Sequence, residues 1–420
     1  VNVVVLGAGV VGTAAAWYLR KSGHEVQVLD RQPAAGMETS FANGGQISVS
    51  HAEPWANPGA LRKIFKWLGR EDAPLLFRPR LDAAQWRWGL AFLLECLPAR
   101  TRRNTAQLLR LGLYSRDCLR ALRAETGIAY DQLERGILHL YTEPREFEAA
   151  IASAERMRSL GLERRVLTPA ECVAMEPALA RSKVTLAGGT HSSDDESGDA
   201  HMFTQALAAR AATAGVQFEY ETTIERVLAD GDAIGGVAIA RADGKRETLR
   251  ADAYVLALGS YSPLLARRIG IHLAIYPAKG YSVTLPVKDP QAAWHVSLTD
   301  DAHKLVFSRL GERLRIAGTA ELTGYDTSIN VPRCEAILRR ALEFFPEAGD
   351  AQAATFWAGL RPSTPGNVPY IGRTRYRNLY LDTGHGTLGW THACGSGRAL
   401  ADIVSGRRPE VEFAFGAGLG

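Results

Sequence analysis

Residues 1–31 read VNVVVLGAGVVGTAAAWYLRKSGHEVQVLDR. Val3 to Leu6 is an unbroken apolar run, as expected of a parallel strand covered on both faces. Gly7, Gly9 and Gly12 then form G-x-G-x-x-G. A helix with small residues follows, and HEVQVLD is a second strand ending in Asp30. Each part has a mechanical reason. Gly7 permits a tight turn, Gly9 lets a pyrophosphate approach the backbone, and Gly12 lets helix and strand pack closely. The free N–H groups of the helix start, including those of Val10 and Val11, face the phosphates with the positive dipole end. Asp30 lies about twenty residues beyond the middle glycine, where an acid accepts from a ribose hydroxyl. Arg31 sits beside it. The stretch predicts a β-α-β dinucleotide site.

An NAD domain would continue βαβαβ through roughly its first 150 residues. This chain does not. Residues 31–59 are loop-like, rich in Gly, Ser, Asn and Pro. An amphipathic helical region runs from about Asp82 to Thr126, and βαβ-like pieces return only near 215–227 and 251–262. A nucleotide fold broken by insertions favours FAD over NAD. The expectation is an α/β protein. Its glutathione-reductase-like, Rossmann-type FAD lobe comes from residues 1–54, 167–266 and 353–420. An α+β substrate lobe with an antiparallel sheet comes from 55–166 and 267–352. That sheet should contain AIYPAKGYSVTLPV and RLRIAGTAEL.

The bulk numbers fit. At 420 residues the chain suits two lobes. A net charge of +4 is too small to argue for nucleic acid. The five cysteines (Cys96, Cys118, Cys172, Cys334, Cys394) have no C-x-x-C spacing and read as free thiols in a reducing, cytoplasmic compartment. Neither a signal peptide nor a transmembrane helix is expected. In SSDDESGDAH the acids suggest metal ligands at first sight, but the calcium-loop spacing is missing, so Asp199 is expected to cap a helix and no metal is expected.

Near the C-terminus, FWAGLRPSTPGNVPYIG (356–372) holds one charge, Arg361, among apolar residues. A buried guanidinium needs an anion. A ligand carboxylate would satisfy it through two parallel hydrogen bonds, and a structural Asp or Glu would do so as well. The glycine-rich GHGTLGW (384–390) opens another helix, whose N-terminus would stabilise negative charge on a reduced flavin.

Four segments carry a family resemblance: the opening motif, ETSFANGGQIS (38–48), YPAKGYSVTLP (276–286), and FWAGLRPSTPGNVPYIG with YLDTGHGTLGWTHACGSGRALADIVSG. By these the chain resembles the D-amino acid oxidase-like FAD oxidoreductases, and within them the small subunits of bacterial D-amino acid dehydrogenases. The resemblance implies non-covalent FAD. It places Thr39, Ser40, Asn43, Gly45 and Gln46 along the cofactor, Ile224 at the adenosine and Gly259 near the pyrophosphate. Gly384, His385, Gly386, Thr387, Leu388, Gly389, Trp390 and Thr391 should close over the flavin. It gives Arg361 the substrate carboxylate, and the implied reaction is oxidative deamination of D-amino acids to 2-oxo acids and ammonia. The electrons would pass to a non-oxygen acceptor such as a membrane quinone. Tyr276, Tyr281 and His303 are further pocket candidates, His303 and Leu305 sharing one strand face. A proline or hydroxyproline dehydrogenase, a glycine or sarcosine oxidase, and a non-catalytic flavin-binding subunit remain as alternatives.

Residues 55–103 combine Trp55, Trp67, Trp86 and Trp88 with ten basic residues: Arg62, Lys63, Lys66, Arg70, Arg78, Arg80, Arg87, Arg100, Arg102 and Arg103. The mixture suits peripheral contact with the inner face of an anionic membrane, and equally a cover for the substrate lobe.

Overall fold

The computed structural model describes residues 1–60, 64, 73–159 and 161–416. Of the tryptophans and basic residues named in the insert, Arg62, Lys63, Lys66, Trp67 and Arg70 lie outside them.

The opening stretch folds as its pattern requires. β1 (Asn2–Leu6) leads into helix α1 (Val10–Lys21) and then β2 (Glu25–Leu29), which pairs parallel to β1. Strand Ala253–Leu256 pairs parallel on the other side of β1. The full six-stranded order is Tyr370–Arg373, Leu379–Thr383, Ala253–Leu256, β1, β2, Gln217–Glu219. All neighbours are parallel except the first pair. Connections leave β1 in both directions, so a crevice opens beyond the carboxyl ends of the central strands.

Small residues set how closely the helices around this sheet approach. The C-terminal helix Gly389–Val404 packs on both α1 and the long helix Pro98–Thr126. A Cβ on Gly397 would lie 2.8 Å from the Ala15 backbone, and one on Gly395 would lie 2.7 Å from Ser115.

The second sheet is larger and mixed. Its order is Thr355–Ser363, Tyr276–Pro286, Arg313–Leu322, Leu305–Leu310, Ser297–Asp300, Ile137–Tyr141, Gly188–Ser192, Arg165–Leu167. Leu75–Phe77 adds parallel beside Arg313–Leu322. The expected pairing of 276–286 with 313–322 is antiparallel. Strands 165–167, 188–192 and 355–363 also join this sheet, so chain segments from both expected lobes build it. Trp294, Phe307, Phe344 and Phe345 pack together beneath it, each worth about 1.5–3 kcal/mol of burial.

Two expectations need adjustment. The helical region Asp82–Thr126 is two helices, Ala83–Glu95 and Pro98–Thr126. Pro98 cannot continue the first helix, but it suits the first turn of the second. His303 is not on a strand. The strand begins at Leu305, and residues 301–304 form the turn before it, with Lys304 at φ 55°. The turn sends the His303 side chain outward, where it is 52% exposed and ion-pairs with Asp300 at 3.0 Å.

Candidate functional site

A cavity of about 1080 Å3 lies between the two sheets, at the carboxyl ends of the parallel strands. This is at the top of the range usual for one small ligand and suits a dinucleotide with a substrate beside it.

The three glycines of the opening motif differ in what constrains them. A Cβ on Gly7, at φ +111°, would lie 2.6 Å from the Ala257 carbonyl oxygen. One on Gly12 would lie 2.0 Å from the Gly7 oxygen. The protein's own packing forbids both. At Gly9 a Cβ would meet nothing nearer than Ser40 Oγ at 3.8 Å, so it would project into open cavity. Gly9 is also the N-cap of α1 and has no side chain to cap it, and of the first-turn N–H groups Val10's goes to Ser40. The first turn, with Val10 and Val11 in the wall, brings the positive end of the helix to the cavity.

Asp30 lines the cavity at the end of β2. The Ala8 N–H donates to its Oδ2 at 2.7 Å and the Gln32 N–H to its Oδ1 at 2.9 Å. Burial pushes the carboxyl up against these bonds. Arg31 lies over the Tyr261 ring at 4.1 Å and ion-pairs with Glu38. Ser40 Oγ accepts from the Val10 N–H at 3.1 Å. Thr39 donates to the Leu360 carbonyl at 2.8 Å, and Asn43 Oδ1 accepts from the Gly45 N–H. Gln46 Nε2 donates to Ser297 Oγ and the Leu298 carbonyl, tying this loop to the large sheet. Ile224 and Gly259 line the same cavity. So does every residue from Gly384 to Thr391. Gly386–Leu388 is one turn of 3-10 helix, and the helix Gly389–Val404 begins without a side-chain cap. Burial lowers His385 to about 3, and its Nε2 lies 3.2 Å from Ser396 Oγ.

Arg361 is deep in the protein, on strand Thr355–Ser363, and the surface it keeps is cavity wall. Its Nη1 donates to the Thr319 carbonyl at 2.8 Å. Among the described residues no carboxylate lies within ion-pair distance. Burial lowers the guanidinium to about 10. A planar cation held here lacks the anion that its fork of donors is shaped to pair with.

Sequence reasoning missed what holds this group in place. A Cβ on Gly280, in the neighbouring strand, would sit 2.3 Å from Arg361 Cζ, so the missing side chain is the slot for the guanidinium. Thr319, whose carbonyl takes the Arg361 N–H, adopts φ 53° at a bulge opposite Gly280. A β-branched residue there is an outlier of the kind that collects at functional sites. Asp195 was missed too. It is buried and accepts from Val49 N–H, Ser50 N–H, Ser48 Oγ and Ser50 Oγ, clamping the loop that follows Gln46. Its neighbour Asp199 caps Ala200–Thr213 as expected.

The pocket candidates divide. Tyr281 lines the cavity and donates to Glu321. Tyr276 does not line it. Its side chain is tied up behind the wall, where it donates to Asp82 Oδ2 at 3.1 Å and packs by Trp88. His303, turned outward, does not line it either. In their place the cavity wall holds a polar group brought together from three distant segments: His51, His139, Asp301 and Lys304. His139 Nδ1 lies 3.1 Å from Asp301 Oδ2, and the His51 and His139 rings stack. Burial acts to raise Asp301, but the His139 hydrogen bond and the Lys304 ammonium outweigh it and hold the carboxyl well below its usual range. His51 keeps surface open to the cavity, yet the protein that surrounds it, with His139 beside it, lowers it to about 4.

Comparison with known proteins gives the family and the fold. The family model described as FAD dependent oxidoreductase matches residues 2–403. A protein of Dechloromonas aromatica named D-amino acid dehydrogenase is 59% identical, over 99% of both chains. One of Paramagnetospirillum magneticum with the same name is 60% identical, over 98% of this chain and 97% of its own. In fold, glycine oxidase from Geobacillus kaustophilus superposes with a TM-score of 0.76 at 23% identity, covering 100% of this chain and 99% of that one. L-proline dehydrogenase from P. horikoshii gives 0.75 at 17% identity, covering 98% and 94%. With a family match across nearly the whole length, and with Gly9, Asp30 and the 384–391 turn all in the wall of one cavity, the chain belongs to the FAD dependent oxidoreductase family.

Proposed function

We propose that the protein oxidises D-amino acids to 2-oxo acids and ammonia, and that its electrons go to an acceptor other than dioxygen. The observation that carries this reading is the Arg361 guanidinium, which faces the FAD cavity without a described acidic partner. Relatives about 60% identical bear the name D-amino acid dehydrogenase, which supports the substrate and the acceptor class.

The residues present fit FAD. The α1 start and Gly9 would hold the pyrophosphate, Asp30 the ribose, and the 384–391 turn the pyrimidine end of the ring. When bound, FAD supplies the hydride acceptor. Arg361 fixes the carboxylate in one plane, so the Cα–H of the substrate is aimed by position. The Gly389–Val404 N-terminus, facing the cavity, would favour negative charge there. With the amine bound neutral, no side-chain base is needed at Cα. Water then hydrolyses the imine.

A membrane acceptor is supported by the outer face of helix Ala83–Glu95. Trp86, Leu90, Leu93 and Leu94 are exposed along one stripe, continued by Leu97, and Leu81 is fully exposed before it. Arg87, Arg100, Arg102 and Arg103 are exposed around them. An apolar stripe with a cationic rim matches an anionic lipid surface. No described helix is long and apolar enough to cross a membrane. The docked protein would therefore lie on the bilayer and reach a quinone there.

The test is product balance. With a dye acceptor under nitrogen, one 2-oxo acid and one ammonia should form per dye reduced by two electrons. Equal turnover in air, with hydrogen peroxide as the product, would contradict the acceptor reading.

A further inference from the structure

Arg361 has a counterpart at the far end of the cavity. Arg164, the residue before strand Arg165–Leu167, is 8% exposed and belongs to the cavity wall. Its Nε and Nη2 donate to Thr190 Oγ1 at 3.2 and 3.1 Å, and Nη2 lies 3.5 Å from the Tyr141 hydroxyl. Both partners are neutral. Among the described residues no carboxylate lies within ion-pair distance of Arg164 and its Nη1 has no hydrogen bond. With the Tyr141 contact long and Nη1 unused, the outer edge of the guanidinium fork is open. A cation kept from bulk water in this way leaves its charge uncompensated.

A second group in the same wall is also incomplete. His139 shares its strand face with Tyr141 and is the register partner of Thr190, so it lies beside both Arg164 partners. It is 3% exposed, and its Nδ1 is held by Asp301. Its buried Nε2 meets no hydrogen-bond partner among the described residues. The His51 ring stacks on it from the other side of the cavity wall, and Lys304 pairs with the second Asp301 oxygen at 2.7 Å. Helix Pro144–Ser159 packs over these strands, and its Arg145 and Glu146 are exposed where the compartment opens to solvent.

None of these residues grips the substrate carboxylate at Arg361. Five strand spacings, about 24 Å, separate the Arg361 strand from Ile137–Tyr141 in the large sheet. The Arg361 guanidinium recovers two of them by reaching the Thr319 carbonyl. About 14 Å across the sheet remains, more than one carboxylate spans.

We infer that this compartment is a second anion site, which takes a small monoanionic carboxylate on the Arg164 fork with His139 and His51 beside it. The planar fork can give a carboxylate two parallel N–H bonds. In this part of the wall two cations, Arg164 and Lys304, face one carboxylate, Asp301, while Arg145 and Glu146 offset each other at the mouth. An excess of one positive charge suits a monoanion and is too little for the dianion of phosphate. The 2-oxo acid formed in the proposed reaction has this chemistry, but the site itself does not rest on that reaction.

The test is equilibrium dialysis of labelled pyruvate against the holoenzyme, counted per FAD. The wild type should bind two, Arg361→Ala one and Arg164→Gln one, with thermal unfolding and FAD content showing that each variant is folded. Arg164→Lys keeps the charge and loses the fork; it should weaken the second site at least tenfold, and it gives a reading if Arg164→Gln fails to fold. In Arg361→Ala, unlabelled propionate should displace the bound label and phosphate at the same concentration should not. No pyruvate bound by folded Arg361→Ala, or two still bound by Arg164→Gln, overturns the second site. Phosphate that displaces the label as well as propionate does overturns its assignment to a carboxylate. Pyruvate is counted here and not turned over, so the result is independent of whether any amino acid bleaches the flavin, which tests the deamination reading.

Discussion

The guanidinium of Arg361 lies in a slot left by Gly280, one strand away, where a Cβ would come within 2.3–2.4 Å of Cζ, Nη1 and Nη2. The clash is with the far end of a flexible side chain, so it displaces the guanidinium and spares the sheet. Gly280→Ala should therefore keep its melting temperature and FAD content and weaken binding of a carboxylate ligand at least tenfold, or about 1.4 kcal/mol. Absorbance changes of the bound flavin on titration with the ligand give the affinity. An unchanged affinity would mean that the slot does not position Arg361.

Burial lowers Arg361 to about 10, so its charge is within experimental reach. The sign follows from the cation. Below that value the guanidinium is charged and binds carboxylate; above it the charge and the binding are lost. For a carboxylate that carries no amine, log Kd should be flat from pH 7 to 9 and rise towards unit slope above about 10. Binding itself favours the charged form, so the break in the complex moves higher. Spectral titration over that pH range, with folding followed by circular dichroism, checks the curve.

Gly9 and Gly12 should fail in different ways. Gly9→Ala has room within the protein, so the chain should fold, and the methyl should occupy the space of the pyrophosphate. The purified protein should carry little FAD. Gly12→Ala drives a methyl to 2.0 Å from the Gly7 carbonyl oxygen and should destabilise the fold by 3 kcal/mol or more, on the scale of severe overpacking. Flavin content and thermal unfolding of the two variants separate ligand clearance from helix packing.

Much of this site is legible in the chain because its signals are local. The β1–α1–β2 unit, Asp30, the 384–391 turn and Arg361 each announce themselves through spacing or through a charge in apolar company. What was not legible depends on residues brought together from a distance. Gly280 looks like a turn residue until its strand lies beside Arg361. Asp195 looks like one acid in a polar run until the 48–50 loop folds onto it. His303 was read onto a strand because HKLVF alternates, but the turn at Lys304 takes it out of register. Tyr276 and Tyr281 flank PAKG and look alike as pocket candidates, yet the two make contacts on different sides of their strand.

Asp195 offers a test of such a long-range contact. It collects four donors from residues 48–50. Asp195→Asn turns one acceptor oxygen into a donor facing donors, so about 3 kcal/mol of stability should be lost with the loop's hold on the cavity. The expected outcome is a lower melting temperature and faster loss of FAD on dilution. An unaltered FAD off-rate would show that the clamp does not support the cofactor wall.

The exposed stripe on Ala83–Glu95 predicts binding to vesicles containing anionic lipid, weakened by salt. Replacing Leu90, Leu93 and Leu94 together by Ser should reduce co-sedimentation at least tenfold, and turnover with a soluble dye should stay unchanged. Binding that survives the replacement would place the membrane contact elsewhere.

The central claim is that Arg361 holds the substrate carboxylate beside the flavin, in an enzyme whose relatives are named for D-amino acids. Its most direct test is anaerobic reduction of the holoenzyme, followed by loss of flavin absorbance, with matched D- and L-amino acids and with Arg361→Ala beside the wild type. The account predicts bleaching by D-isomers and little by L-isomers, and a loss of at least a hundredfold in rate at low substrate in the variant. Equal bleaching by both hands, or a variant as fast as the wild type, would contradict it.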